Sequence, residues 1–133
     1  MRIFFAVLAL VLWNCGANAQ QAGGIACNSS VVYDNNTNGS TKLITGTSSK
    51  SIYICGYGFM AGGTVNVKLI YGTGTACATG ATALTPAYQF TAQTGFVDPS
   101  PYFRGMYAPT GKDVCINASA GKAVQAVVYY VAR

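Results

Sequence analysis

Cysteine is the residue type in this chain best placed to do chemistry, and its spacing selects which chemistry. Cys15 lies inside an N-terminal segment that reads as an export signal, which leaves Cys27, Cys55, Cys77 and Cys115. A zinc site needs thiolates in close pairs, because a tight turn presents two sulfurs to one metal. These four are spread singly along the chain. An even, widely spaced set in a small exported protein reads as two disulfides, for which four cysteines permit three pairings.

Catalytic chemistry has few residues to draw on. The chain has no histidine and no glutamate, and its three carboxylate side chains are Asp34, Asp98 and Asp113. General acid–base catalysis at neutral pH rests most often on His, Glu or a perturbed Asp, and a nucleophilic Ser or Thr needs a neighbouring base. Asp98 opens the turn sequence Asp98-Pro99-Ser100-Pro101, and Asp113 stands beside Lys112 at a strand start. Both read as turn residues, so an enzyme would need an unusual Asp or Lys site. No catalytic residue and no cofactor is assigned.

Three other motifs suggest ligands. Asp34-Asn35-Asn36-Thr37-Asn38-Gly39 matches the opening of a calcium loop, with Asp34, Asn36 and Asn38 as alternate oxygen ligands, but Thr45 stands where the closing glutamate belongs. The loop therefore reads as a polar turn, and no metal is assigned. Gly56-Tyr57-Gly58-Phe59-Met60-Ala61 outlines a dinucleotide fingerprint, yet it leads through Gly62-Gly63 into a strand where the motif requires a helix, so it reads as a turn. Gly72 to Gly80 is a Gly and Thr loop whose expected task is to bend the chain and hold Cys77. The remaining candidates are tyrosines. Tyr53, Tyr57 and Tyr71 read mainly as sheet packing, whereas Tyr102, Phe103, Arg104 and Tyr107, following the rigid Pro99 and Pro101, are the expected exposed binding patch.

An all-β domain must position these residues. Short β-branched and aromatic runs broken by Gly, Pro, Asn and Ser recur without a helix-period apolar face. Strands are expected at Ala26 to Tyr33, Thr41 to Thr45, Lys50 to Tyr57, Thr64 to Tyr71, Ala87 to Thr91, Tyr102 to Tyr107, Lys112 to Asn117 and Ala123 to Ala132. Seven to eight short antiparallel strands imply a single β-sandwich or jelly roll. Val65, Val67, Leu69 and Tyr71 should face the core, opposite Asn66 and Lys68. The last strand is apolar on nearly both faces, and so is either central in its sheet or covered by a neighbouring subunit.

An internal echo bears on the pairing of the cysteines. Ile54-Cys55 followed by Ala61-Gly62 and the strand from Val65 resembles Val114-Cys115 followed by Ala120-Gly121 and the strand from Val124, with a one-residue offset. Read as two equivalent hairpins facing each other, it favours Cys55 with Cys115 and Cys27 with Cys77.

The start of the chain reads as a cleavable signal over residues 1–19, leaving a domain over 20–133. Met1-Arg2-Ile3 is a short positive start, Phe4 to Trp13 is apolar, and Ala17-Asn18-Ala19 presents small residues for cleavage before Gln20. The apolar run is about ten residues, half of the roughly 20 that span a bilayer, so no stable membrane anchor is expected. A lipoprotein signal at Cys15 is the competing reading, opposed by Trp13 and Asn14 where small residues belong. Secreted or periplasmic location follows from cleavage. The remaining cations, Lys42, Lys50, Lys68, Arg104, Lys112, Lys122 and Arg133, are scattered singly with no phosphate-tracking stripe, so nucleic acid is not an expected partner.

Tyr33-Asp34 through Asn38-Gly39-Ser40-Thr41, Ile54-Cys55-Gly56-Tyr57, Tyr71-Gly72-Thr73-Gly74-Thr75-Ala76-Cys77 and Val127-Val128-Tyr129-Tyr130 together resemble a group of small exported proteins of bacterial and prophage genomes, functionally uncharacterised. The resemblance covers nearly all of the mature chain. It implies a bacterial or phage origin and supplies no site residues. Under that origin the sequons at Asn28, Asn35, Asn38 and Asn117 are incidental, whereas in a eukaryotic secretory path they would be candidate glycan sites. The function expected from these readings is a secreted or periplasmic, non-catalytic structural or binding module, a subunit of a surface structure or phage particle, with a protein partner or self-association. The alternative is a soluble carbohydrate-binding module. Intact mass spectrometry of the native protein should find a chain starting at Gln20 that gains about four hydrogens on reduction, whereas four free thiols would overturn the framework.

Overall fold

The computed structural model describes residues 24–133, so the expected signal over 1–19 lies outside the described residues. Ten strands form two five-stranded antiparallel sheets packed face to face. They are β1 (Ser29–Asn35), β2 (Gly39–Ile44), β3 (Ile52–Gly62), β4 (Val65–Thr73), β5 (Thr79–Ala83), β6 (Tyr88–Phe90), β7 (Gln93–Asp98), β8 (Met106–Ala108), β9 (Asp113–Ala118) and β10 (Val124–Ala132). The first sheet runs β1-β10-β3-β7, with β8 also on β3. The second runs β2-β9-β4-β5, with β6 also on β4.

Two strands escaped the expectation. Thr79–Ala83 is small, polar and wholly exposed, and Gln93–Asp98 begins Gln-Thr-Gly, so neither carries the apolar alternation by which strands are read. The segment from Tyr102 to Tyr107 shrinks to Met106–Ala108.

The core is the set of side chains that alternate inward. Ile52, Ile54, Tyr57, Phe59 and Ala61 of β3, Val65, Val67 and Leu69 of β4, Val114, Ile116 and Ala118 of β9, and Val124, Ala126 and Val128 of β10 are all buried in one cluster. The alternation expected in β4 is present, with Asn66 exposed and Tyr71 at the rim of the core. In β3, Ile54 and Tyr57 are three residues apart yet both face inward. This is possible because Tyr129 pairs with Gly56 and Tyr130 with Ile54, leaving Cys55 as the extra residue of a β-bulge.

The repeated motif has a structural counterpart, but as sheet-to-sheet arches where hairpins were expected. β3 belongs to the first sheet and β4 to the second, while β9 belongs to the second and β10 to the first. The two arches clasp each other: β3 pairs with β10 and β4 with β9. Val67 pairs with Ala118, and their counterparts in the other copy, Ala126 and Phe59, also pair. The one-residue offset between the copies is the bulge residue Cys55.

This arrangement corrects the favoured disulfide pairing. The bonds are Cys27–Cys55 and Cys77–Cys115. In the clasp Cys115 corresponds to Gly56, beside the unmatched bulge residue Cys55, and the two cysteines stand in opposite sheets on outward faces, so the sandwich itself separates them. Each therefore bonds to a segment lying on its own outer face. Cys27 sits in the strip that leads into β1, and Cys77 ends the 3-10 turn Thr75–Cys77 that folds over Ile70 and Cys115. Ala76 and Cys77 both have left-handed backbone, with φ of 50° and 59°. That conformation is costly for a side-chain-bearing residue and persists only where its surroundings fix it.

The sequence separations closed are 28 and 38 residues, for which chain entropy gives about 3 to 4 kcal/mol per bond. Replacing Cys77 and Cys115 together by Ser should lower unfolding stability by about 2 to 5 kcal/mol, read from denaturant midpoints. Peptide mapping of the unreduced protein should recover only the two pairings named.

Candidate binding surface

The outer faces of the two sheets differ in chemistry. On the second sheet, one cross-strand row is Ser40, Asn117 and Lys68, with the Asn117 amide donating to Ser40 Oγ at 2.9 Å. Its counterpart on the first sheet is Val32, Val127, Gly58 and Val97. Lys68 and Asn117 correspond through the repeat to Val127 and Gly58, so equivalent backbone positions carry polar side chains on one side and apolar or no side chains on the other. Val32 is 74 % exposed, Met60 56 % and Val97 55 %. Together they form an apolar strip open to solvent, with the half-buried Val127 at its centre.

Glycine shapes the strip. A Cβ on Gly56 would lie 2.6 Å from the Asp98 carbonyl and the Ser100 amide, and one on Gly58 would lie 2.9 Å from Val97 Cγ2. The Gly56-Tyr57-Gly58 sequence is therefore neither a cofactor loop nor a turn. It lies within β3, where neighbouring backbone crosses closely. Two shallow depressions result. One of about 310 Å³ is lined by Cys27, Pro99, Ser100, Pro101 and Tyr129, and one of about 270 Å³ includes Val32, Gly58, Met60, Val97 and Val127.

The expected aromatic patch lies beside this strip and is only partly a patch. Residues 25–27 and 99–104 run across the outer face of the first sheet, joined by Cys27 N–H to the Pro101 carbonyl (3.1 Å) and Phe103 N–H to the Ile25 carbonyl (2.9 Å). Tyr107 is 48 % exposed and stacks on Tyr53, its cross-strand partner, with ring centres 5.8 Å apart. Phe103 is half-buried, edge-on to Tyr53 at 5.1 Å. Arg104 pairs with Asp98 at 3.2 Å, and Tyr102 is partly exposed. Tyr53 thus joins Phe103 and Tyr107 in one aromatic group, through a β3–β8 register that no local motif announces.

The carboxylates do not converge. Asp98 is held by Arg104 beside the first sheet, while Asp113 is in the second sheet and pairs with Lys42 at 3.0 Å, not with its sequence neighbour Lys112. Asp34 lies in β1 and accepts from the Gln125 amide at 3.3 Å, while Asn36 and Asn38 are exposed in the β1–β2 connection. Among the described residues no three His, Cys, Asp or Glu side chains are grouped to hold a metal ion, and no helix is long and apolar enough to cross a membrane.

Two groups titrate abnormally, both for structural reasons. Burial pushes Tyr57 well above the usual phenol range, reinforced by its 2.7 Å hydrogen bond with Tyr88. For Asp113, burial pushes upward, but the Gly46 N–H at 2.8 Å and the Lys42 ammonium outweigh it and hold the carboxyl below the ordinary range. A carboxylate with a lowered folded-state pKa contributes stability above its unfolded pKa of about 4, and that stability is lost as pH falls through the folded value. Acid unfolding below about pH 4 should therefore be shallower in Asp113→Asn than in the parent, measured as unfolding midpoint against pH.

Two disulfides belong to an oxidising environment, extracellular or periplasmic. No protein-family model matches the chain, and comparison with curated proteins and with solved structures finds no match either.

Proposed function

We propose that the chain is a secreted or periplasmic, non-catalytic module that acts by binding, as a subunit of a surface structure or phage particle, through the outer face of the β1-β10-β3-β7 sheet. The contrast between Val32-Val127-Gly58-Val97 and the polar row at equivalent positions on the other sheet carries this reading. The second sheet shows how this chain builds a face that meets water. The first sheet departs from that composition where nothing in the core requires it, since these side chains point away from the core. The ionisable groups support the same reading, because Asp98 and Asp113 are engaged in separate ion pairs.

Val127→Asp and Val97→Asp should leave the unfolding midpoint nearly unchanged, as surface changes do. Both should release the protein from the cell-envelope or particle fraction of its native source. Unchanged fractionation by both folded variants would overturn the reading.

A second reading, a soluble carbohydrate-binding module, is favoured by one observation: Tyr107 presents an exposed ring held by stacking on Tyr53. It requires that Tyr107→Ala abolish binding on a glycan array without unfolding, and an array on which the parent binds nothing removes it.

A further inference from the structure

We propose that β1 is a pairing edge for a second copy of the chain, joined antiparallel about a two-fold axis at Val32. This rests on the outer face of the first sheet being the working surface, and names the partner along its open side.

β1 has a strand on one side only among the described residues, β10. Native sheets protect such an edge with lysine, proline, a bulge or a very short strand, because its unpaired backbone groups are a template for another chain. Four of the other edges show these devices. β2 carries Lys42 and a register break between Lys42 and Ile44, β5 has a break opposite Tyr71 and Thr73, and β6 and β8 are three residues each. β7 begins Gln-Thr-Gly and runs directly into Pro99. β1, Ser29-Ser30-Val31-Val32-Tyr33-Asp34-Asn35, keeps unbroken register with β10 over all seven residues and contains no lysine, proline or bulge.

Side-chain chemistry selects the register. Ser30, Val32 and Asp34 are exposed on the outward face, and Tyr33 is buried in the core. Pairing must keep outward residues against outward residues, which excludes any slip by one residue. Centring on Asp34 would oppose two carboxylates, and centring on Tyr33 would set Asp34 against Val32. Centring on Val31 would set Val32 against a serine. Centring on Val32 opposes valine to valine, places each Asp34 against a Ser30 hydroxyl able to donate to it, and sets Val31 against Tyr33 on the inward side. The row Val97-Gly58-Val127-Val32 then continues into Val32-Val127-Gly58-Val97 of the second copy, one apolar band across eight strands.

The charge pattern fits a like partner. The strip carries no lysine or arginine, so two copies of a chain whose cations outnumber its acids meet there without repulsion. A single seven-residue edge, roughly 24 Å long at about 3.4 Å per residue, buries less than the roughly 1,600 Å² of a standard interface, so the dimer is expected to form at high protein concentration and dissociate on dilution.

The test uses purified mature protein. Sedimentation should show a dimer that dissociates on dilution. Val32→Lys, an exposed change that sets two ammonium groups face to face, should abolish it with an unchanged unfolding midpoint. Under mild oxidation Val32→Cys should yield a disulfide-linked dimer. Ser30→Cys and Asp34→Cys should not cross-link singly but should cross-link when mixed, since position 30 faces position 34. A monomer at all concentrations, a folded Val32→Cys whose added thiol stays free, or equal cross-linking of the single variants at 30 and 34 would each overturn the proposal. These outcomes are independent of whether the outer face attaches the protein to an envelope or particle, which the fractionation of Val127→Asp reads separately.

Discussion

Everything in this fold depends on the clasp between the β3–β4 arch and the β9–β10 arch. Two chain segments some sixty residues apart lie antiparallel so that one pairing continues from the first sheet, β3 on β10, into the second, β4 on β9. An arch cannot bury its apolar side chains alone, because its two strands lie in different sheets with their inward faces opposed across a gap. A second arch threaded against it supplies a neighbour to each strand, and the fourteen inward side chains of the four strands fill that gap. At about 25 cal/mol per Å² of apolar area, such a cluster is the main favourable term in folding. The remaining six strands add onto this centre and take their register from it.

The clasp also dictates the cysteine chemistry. Because both inward faces are occupied by branched and aromatic side chains, a cysteine in a central strand can be accommodated most simply on the outward face. Cys115 reaches it by ordinary alternation between Val114 and Ile116. Cys55 stands between Ile54 and Gly56, and its bulge returns Tyr57 and Phe59 to the inward phase needed for packing against Tyr88 and Phe96. Once outward, each cysteine can bond only to chain that crosses its own face. The two disulfides accordingly fasten irregular segments to the sheets, the strip before β1 in one case and the strained turn ending at Cys77 in the other.

Much of this was legible in the residues, and the failures have physical causes. The alternation of Val65, Val67 and Leu69 identified an inward face because apolar periodicity and burial are the same signal. The repeat was visible too, but sequence does not distinguish an arch from a hairpin, since both are two apolar strands joined by a short Gly-containing link. The disulfide pairing inferred from it fails for that reason. Strands without apolar alternation, Thr79–Ala83 and Gln93–Asp98, are invisible to periodicity, being placed by pairing with their neighbours. The Lys42–Asp113 pair spans two strands remote in sequence, whereas Lys112 stood beside Asp113 in the sequence without facing it. For the outer face of the first sheet, the last strand's apolar character on both faces raised two explanations, a central position or a covered face. β10 is central, and one of its faces remains partly open to solvent.

The repeat sharpens what that open face means. Side chains on an outward face are not constrained by core volume, so their composition reflects what the face meets. In two related arches under one backbone geometry, the same outward positions hold Lys68 and Asn117 in one copy and Val127 and Gly58 in the other. Core packing does not set the difference, because both sets point away from the core, although Gly58 is fixed locally by the close approach of Val97. Gly58 lets Val97 lean across β3, lowering the centre of the strip into a valley between Val32 and Val97. This valley lies on the sheet whose far end is fixed by Cys27–Cys55, and its aliphatic lining faces solvent. It is the outward face of this sandwich on which the hydrophobic effect still has area to act.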